Sequence, residues 1–421
     1  MTSRLWTTLL SVILLIAAPS SRADDSADTL SLDEAIAQAL EQAPQLAAST
    51  ASIEGAEAGA DAAGRLPDPE LIAGVDNLPI ETADRYSLTR DFMTMRKIGV
   101  MQSFPNAGKR RLRTVRAQRE VDVARSQLQK SRFEVARDTA SAWIALAVTN
   151  ESLSRLRALQ PELERQTNAS TAALASGRSS AADALNAQTL AARFDERIAA
   201  LEQDRAMQKA ELSRWIGDGA SRPLAAFPVD RRADSVPDAL LEQVAMHAPL
   251  AQFSAEIDAA RAEVDLARAE KRPDWSAEIT YAKRGDAFAD MVSLEFRVGL
   301  PLFAAHRQDA AISQGLATLR AMEATREAEI RMHRAEIVAA ISLWNSGQPR
   351  LDRYAHELLP LARERTQAAL GSYGAGRTDL RSATEALKDE LEIELEYIAL
   401  KGAVTGAWVF LHLLHDGGNA S

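Results

Sequence analysis

One uninterrupted stretch constrains the fold of this 421-residue chain more than any other feature. From Lys109 to Ser176 there is no glycine and a single proline, Pro161. Glycine and proline are the residues that most disfavour a helix interior, so the stretch predicts one continuous helix. At 1.5 Å per residue this helix would be about 100 Å long, far longer than a compact domain is wide. The sequence therefore predicts an elongated protein built around helical rods.

Apolar residues in the long stretches recur every seven positions, which is typical of a coiled-coil seam. In the first half this spacing connects Val121, Leu128, Val135 and Ala142. In the second half it connects Ile330, Ile337, Trp344, Leu351 and Leu358. The second stretch also contains "NSGQP" at 345–349, where glycine and proline predict a kink.

The two halves of the chain carry similar markers in the same order. "SLDEAIAQALEQAPQL" at 31–46 resembles "SVPDALLEQVAMHAPL" at 235–250, and the Gly-Arg pair that begins at Gly177 returns at Gly376. Chance similarity between alanine-rich helices would not keep glycine and proline marks in register. We infer two structural repeats, each too long to be one unit of a solenoid.

Each repeat is predicted to contain a short helix, a β-hairpin, a very long helix and a further helix, so the chain is mainly α with a small β part. The first helix runs from Ser31 to Gly64 and opens with a capping signal that joins Ser31 to Glu34. The predicted organisation is a signal peptide at 1–23; repeat 1 at 24–216, with a hairpin at about 69–104, a long helix at 109–176 and a helix at 178–216; a linker at 217–238; repeat 2 at 239–416, with a hairpin at about 273–302, a long helix at 307–371 and a helix at 378–414; and a tail at 417–421.

The amino-terminal residues predict export from the cytoplasm. Arg4 precedes an apolar core from Leu9 to Ala18, and "SRA" at 21–23 is a small-x-small cleavage site. A single membrane anchor is the competing interpretation, but this core is too short to span a bilayer. No later stretch has the roughly 18 consecutive apolar residues of a membrane-spanning helix, so a helical membrane protein is not expected.

Charge and cysteine content exclude several classes of function. The formal net charge is −10 at pH 7, which is the wrong sign for a nucleic-acid partner and is compatible with attraction of cations. The chain has no cysteine, so structural disulfides and thiolate metal sites are excluded. Stability must come from packing and from assembly.

The clearest strand in the chain is "MVSLEFRVGLPL" at 291–302, where apolar and polar residues alternate. The residues predicted to share the apolar face are Val292, Leu294, Phe296, Val298 and Leu300. A half-buried soluble hairpin and a strand with lipid on one side and water on the other both fit this pattern. Four such strands cannot close a barrel, and open edges are not tolerated in lipid. Two copies would give eight strands, and three copies would give twelve and an open lumen.

These features together resemble the TolC family of outer-membrane efflux channels. The resemblance covers the mature chain and rests on the doubled plan, on "SLDEAIAQALEQAPQL", and on "SFPNAGKRRLR" at 103–113. It implies a homotrimer that forms a 12-strand β-barrel in outer-membrane lipid and a long α-helical barrel in the periplasm. It also implies a periplasmic adaptor and an inner-membrane transporter as partners. The phrase "FPNAGKR" at 104–110 looks most like the heavy-metal efflux branch, which implies metal cations as cargo.

The resemblance also implies roles for residues near the two glycines. Periplasmic hairpin tips that dock the adaptor would be formed by Gly177, Arg178, Gly376 and Arg377. A gate or pore lining would involve Tyr373, Asp183, Asp379 and Glu385. At one position where the family carries an acid this chain has Ser382, so its gate is expected to be less acidic. The alternative is that the glycines end helices and that the charged and tyrosine side chains are merely solvated.

No catalytic constellation, phosphate-binding loop or cofactor motif is recognisable, so an enzyme is not expected. Only "HLLH", with His412 and His415, has the spacing of a metal site, and a structural role for this pair is the alternative. The expected function is a passive export duct without a cofactor or a resident metal. The runner-up is a periplasmic coiled-coil scaffold, and organic toxicants or polypeptides remain alternative cargo.

Overall fold

The computed structural model describes residues 29–81, 83–177, 179–227, 239–285 and 287–417. The predicted signal peptide, part of the linker and most of the tail lie outside these ranges. The elements are α1 (Leu32–Gln42), α2 (Pro44–Ala63), β1 (Glu70–Asp76), β2 (Met95–Phe104), α3 (Ala107–Ala175), α4 (Ala181–Ile216), α5 (Ala239–Glu242), α6 (Ala248–Ala269), β3 (Trp275–Lys283), β4 (Met291–Val298), α7 (Gln308–Arg353), α8 (Leu359–Gly374) and α9 (Leu380–Gly417). The fold is mainly helical with a small antiparallel sheet and two repeats, as the sequence predicts.

The first predicted helix is interrupted, which corrects the single helix expected over 31–64. Ala43 adopts an extended conformation, and Pro44 begins α2. Proline has no N–H to continue α1 and disfavours helical geometry in the residue before it, whereas it fits the first turn of a new helix. The predicted cap of α1 is confirmed, because the Glu34 N–H donates to Ser31 Oγ at 3.1 Å.

The long rods differ between the repeats. Helix α3 spans 69 residues and stays α-helical through Pro161. In repeat 2 the expected single helix over 307–371 is divided by a π-helical turn at Tyr354–Leu358. The chain stays α-helical through Pro349, so the departure from α-helix lies beyond the predicted kink at 345–349. Pro349 and Pro360 flank the turn, and each removes a helical hydrogen-bond donor.

The seven-residue seams are confirmed by burial. Val121 and Val135 in α3, and Ile337 in α7, are at most 3% exposed. Val135 and Ile337 pack in a core where α9 lies against both α3 and α7, around Trp143 and Trp408. Close packing requires glycine at one contact, since a Cβ at Gly347 would lie 2.3 Å from Val404 Cγ2 of α9.

The elements nearest the hairpins form two open rows. The sheet is antiparallel in the order β1–β2–β3–β4, so the hairpins of the two repeats are joined by the pairing of β2 with β3. The neighbouring helices follow the order α2–α3–α6–α7. Both rows begin with an element of repeat 1, β1 or α2, and end with an element of repeat 2, β4 or α7. Among the described elements, the same two sides of the molecule are therefore left without a lateral neighbour.

Candidate functional site: an apolar sheet face and two hairpin tips

The sheet has one apolar and one polar face. Directly paired residues point to the same side, and the register aligns Leu71 with Val100, Ile98 with Tyr281, and Ile279 with Leu294. The predicted apolar residues of β4 share this face, at exposures of 57–70%. These are Val292, Leu294, Phe296 and Val298. Leu300 is also exposed, but it lies beyond the end of β4 and does not belong to the strand.

The opposite face of the sheet carries ion pairs. Arg297 Nη2 lies 2.6 Å from Glu278 Oε2, and Arg297 Nε lies 2.7 Å from Glu295 Oε1. On the first hairpin Lys97 Nζ lies 2.9 Å from Asp76 Oδ2. An apolar outer side and a charged inner side match a wall that separates lipid from water.

Where the sheet joins the helices, a buried lysine links the two repeats. Lys109 is 3% exposed, and its Nζ lies 2.8 Å from Asp274 Oδ2 and 3.0 Å from Glu270 Oε2. Asp274 Oδ1 also accepts the Asn106 N–H at 2.7 Å. Burial by itself raises the pKa of Asp274, but the hydrogen bonds from Lys109 and Asn106 outweigh it and hold the pKa below its usual range. Residues of "FPNAGKR" thus hold the junction together.

Sequence reasoning missed this junction as a contact. "FPNAGKR" leads from β2 into α3 and "KRPDW" leads from α6 into β3, and the two phrases carry opposite charges at Lys109 and Asp274. These opposite charges were the only sequence signal we recognise that Lys109 and Asp274 lie in contact. Phe104 and Trp275 stack beside the ion pair, with ring centroids 4.1 Å apart.

The two predicted tip glycines have the same conformation. Gly177 has φ +70° and Gly376 has φ +67°, a region that residues with a side chain rarely adopt. At the second tip the Arg377 N–H donates to the Ser372 carbonyl and the Gly376 N–H to the Tyr373 carbonyl, both at 2.9 Å. This pair of bonds is the Schellman ending of a helix. A Cβ on either glycine would meet no atom within 4 Å, so the tips are open.

The two predicted pore aspartates cap the helices that leave the tips. Asp183 and Ser180 form a reciprocal capping box at the start of α4, and Asp379 Oδ1 accepts the Ser382 N–H at the start of α9. Hydrogen bonds from the Ser180 hydroxyl and N–H lower the pKa of Asp183, while the nearby charge of Asp379 opposes this shift. The Ser382 hydroxyl and N–H lower the pKa of Asp379. Both carboxylates are therefore ionised near neutral pH, and their pore role stays a prediction.

The remaining tip residues lie on the surface of the same region. Glu385 Oε1 pairs with Arg381 Nε at 2.9 Å along α9, and both side chains are exposed. Tyr373 is half-buried in the last turn of α8, and Arg377 is exposed just after it. Arg178 lies outside the described residues. A groove between α4 and α9 is lined by residues that include Asp183, Arg193, Arg381, Glu385 and Lys388.

The histidines do not assemble a metal centre in the described part of the chain. His412 stacks on Trp408 with centroids 4.8 Å apart, and His415 is exposed. A pair that the sequence did not reveal is buried instead, with His247 Nδ1 3.1 Å from His333 Nε2. Burial and the neighbouring His333 lower the pKa of His247 to about 4, so it is neutral at pH 7.

One described helical segment, Leu380–His415 of α9, is long and apolar enough to cross a membrane by length and composition. Half of its most apolar window is buried against other helices, as in the core helix of a helical assembly. A search for unbroken runs of apolar residues in the sequence does not find this segment, because Lys401 interrupts the run. Lys401 Nζ is paired with Glu151 of α3 at 3.0 Å.

An open sheet with one apolar face, joined to helical rods about three times its length, defines a class of channel-forming outer-membrane proteins. A family profile described as outer membrane efflux protein matches residues 35–218 and 241–415. The chain belongs to this family, whose members are efflux channels of the outer membrane with helices that extend into the periplasm. The resemblance to the TolC family is thereby confirmed.

Solved structures of outer-membrane channels share the fold. VceC from Vibrio cholerae is 20% identical with a TM-score of 0.73, and the match covers 91% of this chain and 95% of that one. CmeC from Campylobacter jejuni is 12% identical with a TM-score of 0.78, covering 92% and 86%. The transmembrane channel CusC is 16% identical with a TM-score of 0.74, covering 90% and 91%. A search of curated protein sequences gave no match.

Proposed function

We propose that three copies of this chain close into a ring and form a passive exit duct across the outer membrane and the periplasm. The observation that carries the proposal is the agreement between the two open rows. Strands and helices end on the same two sides, with β1 and α2 on one and β4 and α7 on the other. One rotation that brings β4 beside β1 of the next copy therefore also brings α7 beside α2.

The helical edges are suited to close packing between copies. On the side of α2 that faces away from α3, small residues recur three or four positions apart. They are Ala51, Gly55, Ala58 and Ala62, all exposed. The side of α7 that faces away from α6 carries a matching set of exposed alanines. They are Ala310, Ala317, Ala324, Ala328 and Ala335. Small side chains let helix backbones approach closely, so the two stripes can pack together.

The sheet supports three copies over two. Its backbone edges at β1 and β4 cannot stay unpaired in lipid. Eight strands from two copies would make a barrel filled by its own side chains, whereas twelve strands leave a lumen. The charged face with Arg297, Glu278 and Lys97 then lines the water-filled side, and the apolar face with Leu294 and Phe296 meets lipid.

The hairpin tips are proposed as the docking surface for a periplasmic adaptor protein, through Gly177, Arg178, Gly376 and Arg377. Open space around both glycines supports this, because an adaptor helix could approach the backbone there. Tyr373, Asp183, Asp379 and Glu385 are proposed to line or latch the opening at the same end. An inner-membrane transporter would supply the energy, since no nucleotide-binding motif is recognisable in the sequence.

Metal cations are the proposed cargo. The acidic balance of the chain and its ionised tip carboxylates, Asp183 and Asp379, support transport of cations. Organic toxicants and polypeptides are the alternatives within the same kind of duct. Export of a panel of metal ions and of organic toxicants, measured in cells with and without the protein, separates them. Retention of the toxicants alone in cells that lack the protein would contradict the metal assignment.

The duct itself is tested by reconstitution into planar lipid bilayers. We expect stable conductance steps, with cations favoured over anions because the tip carboxylates are ionised. A periplasmic scaffold would give no conductance and would not need an exposed apolar sheet face. Protein that stays in the aqueous periplasmic fraction as a single chain would exclude the duct.

A further inference from the structure

Two cations face each other at the outer end of the apolar sheet face. Arg96 of β2 and Lys283 of β3 are direct cross-strand partners. They share a side with Ile98 and Tyr281, which lie two residues along on the same strands. Like charges placed directly opposite on a sheet destabilise it, so the pair calls for a compensating anion.

The described residues supply no such anion. No carboxylate oxygen of these residues lies within 4.0 Å of a side-chain nitrogen of Arg96 or Lys283, the distance that defines an ion pair. Arg96 Nη2 donates to the Arg284 carbonyl at 3.2 Å, while Arg96 Nε is buried without a hydrogen-bond partner. Asp290, an acid of the same hairpin, instead accepts a hydrogen bond from the Tyr281 hydroxyl. Within the part of the chain that the structure describes, the pair therefore keeps two positive charges without a carboxylate partner.

The pair lies at a particular depth of the sheet. The stacked rings of Phe104 and Trp275 mark the end nearest the helices. From Phe104 to Arg96 the strand rises about 3.4 Å per residue, which at a tilt near 40° spans roughly 20 Å. The apolar band of a membrane barrel is about 25 Å tall and is bordered by aromatic residues. With Phe104 and Trp275 at the periplasmic border, the backbones of Arg96 and Lys283 lie within about 5 Å of the outer border, so their long side chains reach the headgroups next to Tyr281.

We propose that Arg96 and Lys283 bind a phosphate group on the headgroup of an outer-leaflet glycolipid. The inference rests on the proposed function, because it requires the sheet to span the outer membrane. Arginine suits phosphate oxygens through directed N–H bonds, and the exposed Lys283 adds a second positive charge beside Arg96. The alternative is that both side chains only extend to a polar interface, which needs water but no phosphate.

The test compares binding of lipid A that carries two phosphates with binding of dephosphorylated lipid A. The assembled protein, purified in detergent, is titrated with each lipid, and bound lipid is counted by native mass spectrometry. Each basic residue at a membrane surface contributes about a fivefold preference for an anionic headgroup. We expect the protein to favour the phosphorylated lipid about 25-fold, and the double variant Arg96→Gln, Lys283→Gln to lose that preference. Lys97→Gln, one position along on the opposite face, should keep it.

Three results would overturn the site. They are equal binding of the two lipids by the unmodified protein, an unchanged preference in the double variant, or displacement of the lipid by millimolar inorganic phosphate. The last result would assign the site to a free anion. A failure of the proposed function looks different, because the protein would then not extract from membranes as an assembly at all.

Discussion

A leucine at Gly55 is predicted to break the assembly and spare the fold. Gly55 lies in the middle of α2, and a Cβ built on it meets no atom within 4 Å of the chain. Replacing a helical glycine by leucine stabilises an isolated helix by about 0.5–1 kcal/mol, because glycine has the greater backbone freedom to lose. Gly55→Leu should therefore leave a single chain slightly more stable.

In the ring the same leucine would lie between α2 and the alanine stripe of α7. Overfilling a close contact costs about 1–3 kcal/mol, and a ring of three copies contains the contact three times. The assembly should lose roughly 3–9 kcal/mol. At 1.4 kcal/mol for each tenfold change, the assembly constant should fall by a factor of about 10² to 10⁶.

Size-exclusion chromatography with light scattering, over a range of protein concentrations in detergent, measures this loss. The matched control is Gly55→Ala, which raises helix propensity without filling the contact and should keep three chains together. A Gly55→Leu protein that remains trimeric at all concentrations would refute the proposed packing of α2 against α7. Equal loss in both variants would mean that the substitution acts through something other than side-chain volume.

Further predictions concern the junction, the lipid face, the buried histidine and the tip. Lys109→Met should lower the free energy of unfolding by about 1–3 kcal/mol, because Glu270 and Asp274 lose their charged donor. Arg116→Met, in an exposed ion pair, should change it by less than about 1 kcal/mol. Equal effects of the two variants in denaturant titrations would contradict the stabilising role of Lys109 at the junction. Leu294→Lys should make the free energy of membrane insertion less favourable by about 2–4 kcal/mol, and Ser293→Lys, on the opposite face, should change it much less. Similar insertion of both variants in a vesicle-folding assay would contradict the assignment of the lipid-facing side. Between pH 6.5 and about 4, His247 is protonated in the unfolded chain but not in the folded chain. The free energy of unfolding should therefore fall on the order of 2 kcal/mol as the pH drops through this window. In thermal unfolding, His247→Gln should remove this part of the pH dependence. Asp379→Ser should keep the cap of α9 but reduce the cation preference of the conductance. An unchanged cation preference would mean that Asp379 only caps α9.

Sequence patterns predicted the parts of the fold that depend on nearby residues. The burial of Ile337 and Val135 follows from a seven-residue period that any reader of the chain can count. The conformation of Gly177 and Gly376 follows from their place at the ends of helical runs. The break at Pro44 was also readable, because proline favours the first turn of a helix, but the continuous alanine-rich pattern around it favoured one helix over two.

Contacts between distant residues could not be predicted in the same way. Lys109 and Asp274 are 165 positions apart, and His247 and His333 are 86 apart. Nothing in either local sequence fixes which partner the fold brings near, since the pairing depends on how the two repeats align across β2 and β3. The π-helical turn at Tyr354–Leu358 lies between Pro349 and Pro360, whereas the sequence pattern placed the irregularity at the first of these prolines.

Electron cryomicroscopy of the protein extracted from outer membranes tests the central claim most directly. We predict a threefold ring in which β4 of each copy pairs with β1 of the next, with Leu294 and Phe296 toward detergent and Arg297 toward the lumen. A single chain whose sheet folds back onto its own helices, or a ring with the apolar face turned inward, would contradict the account.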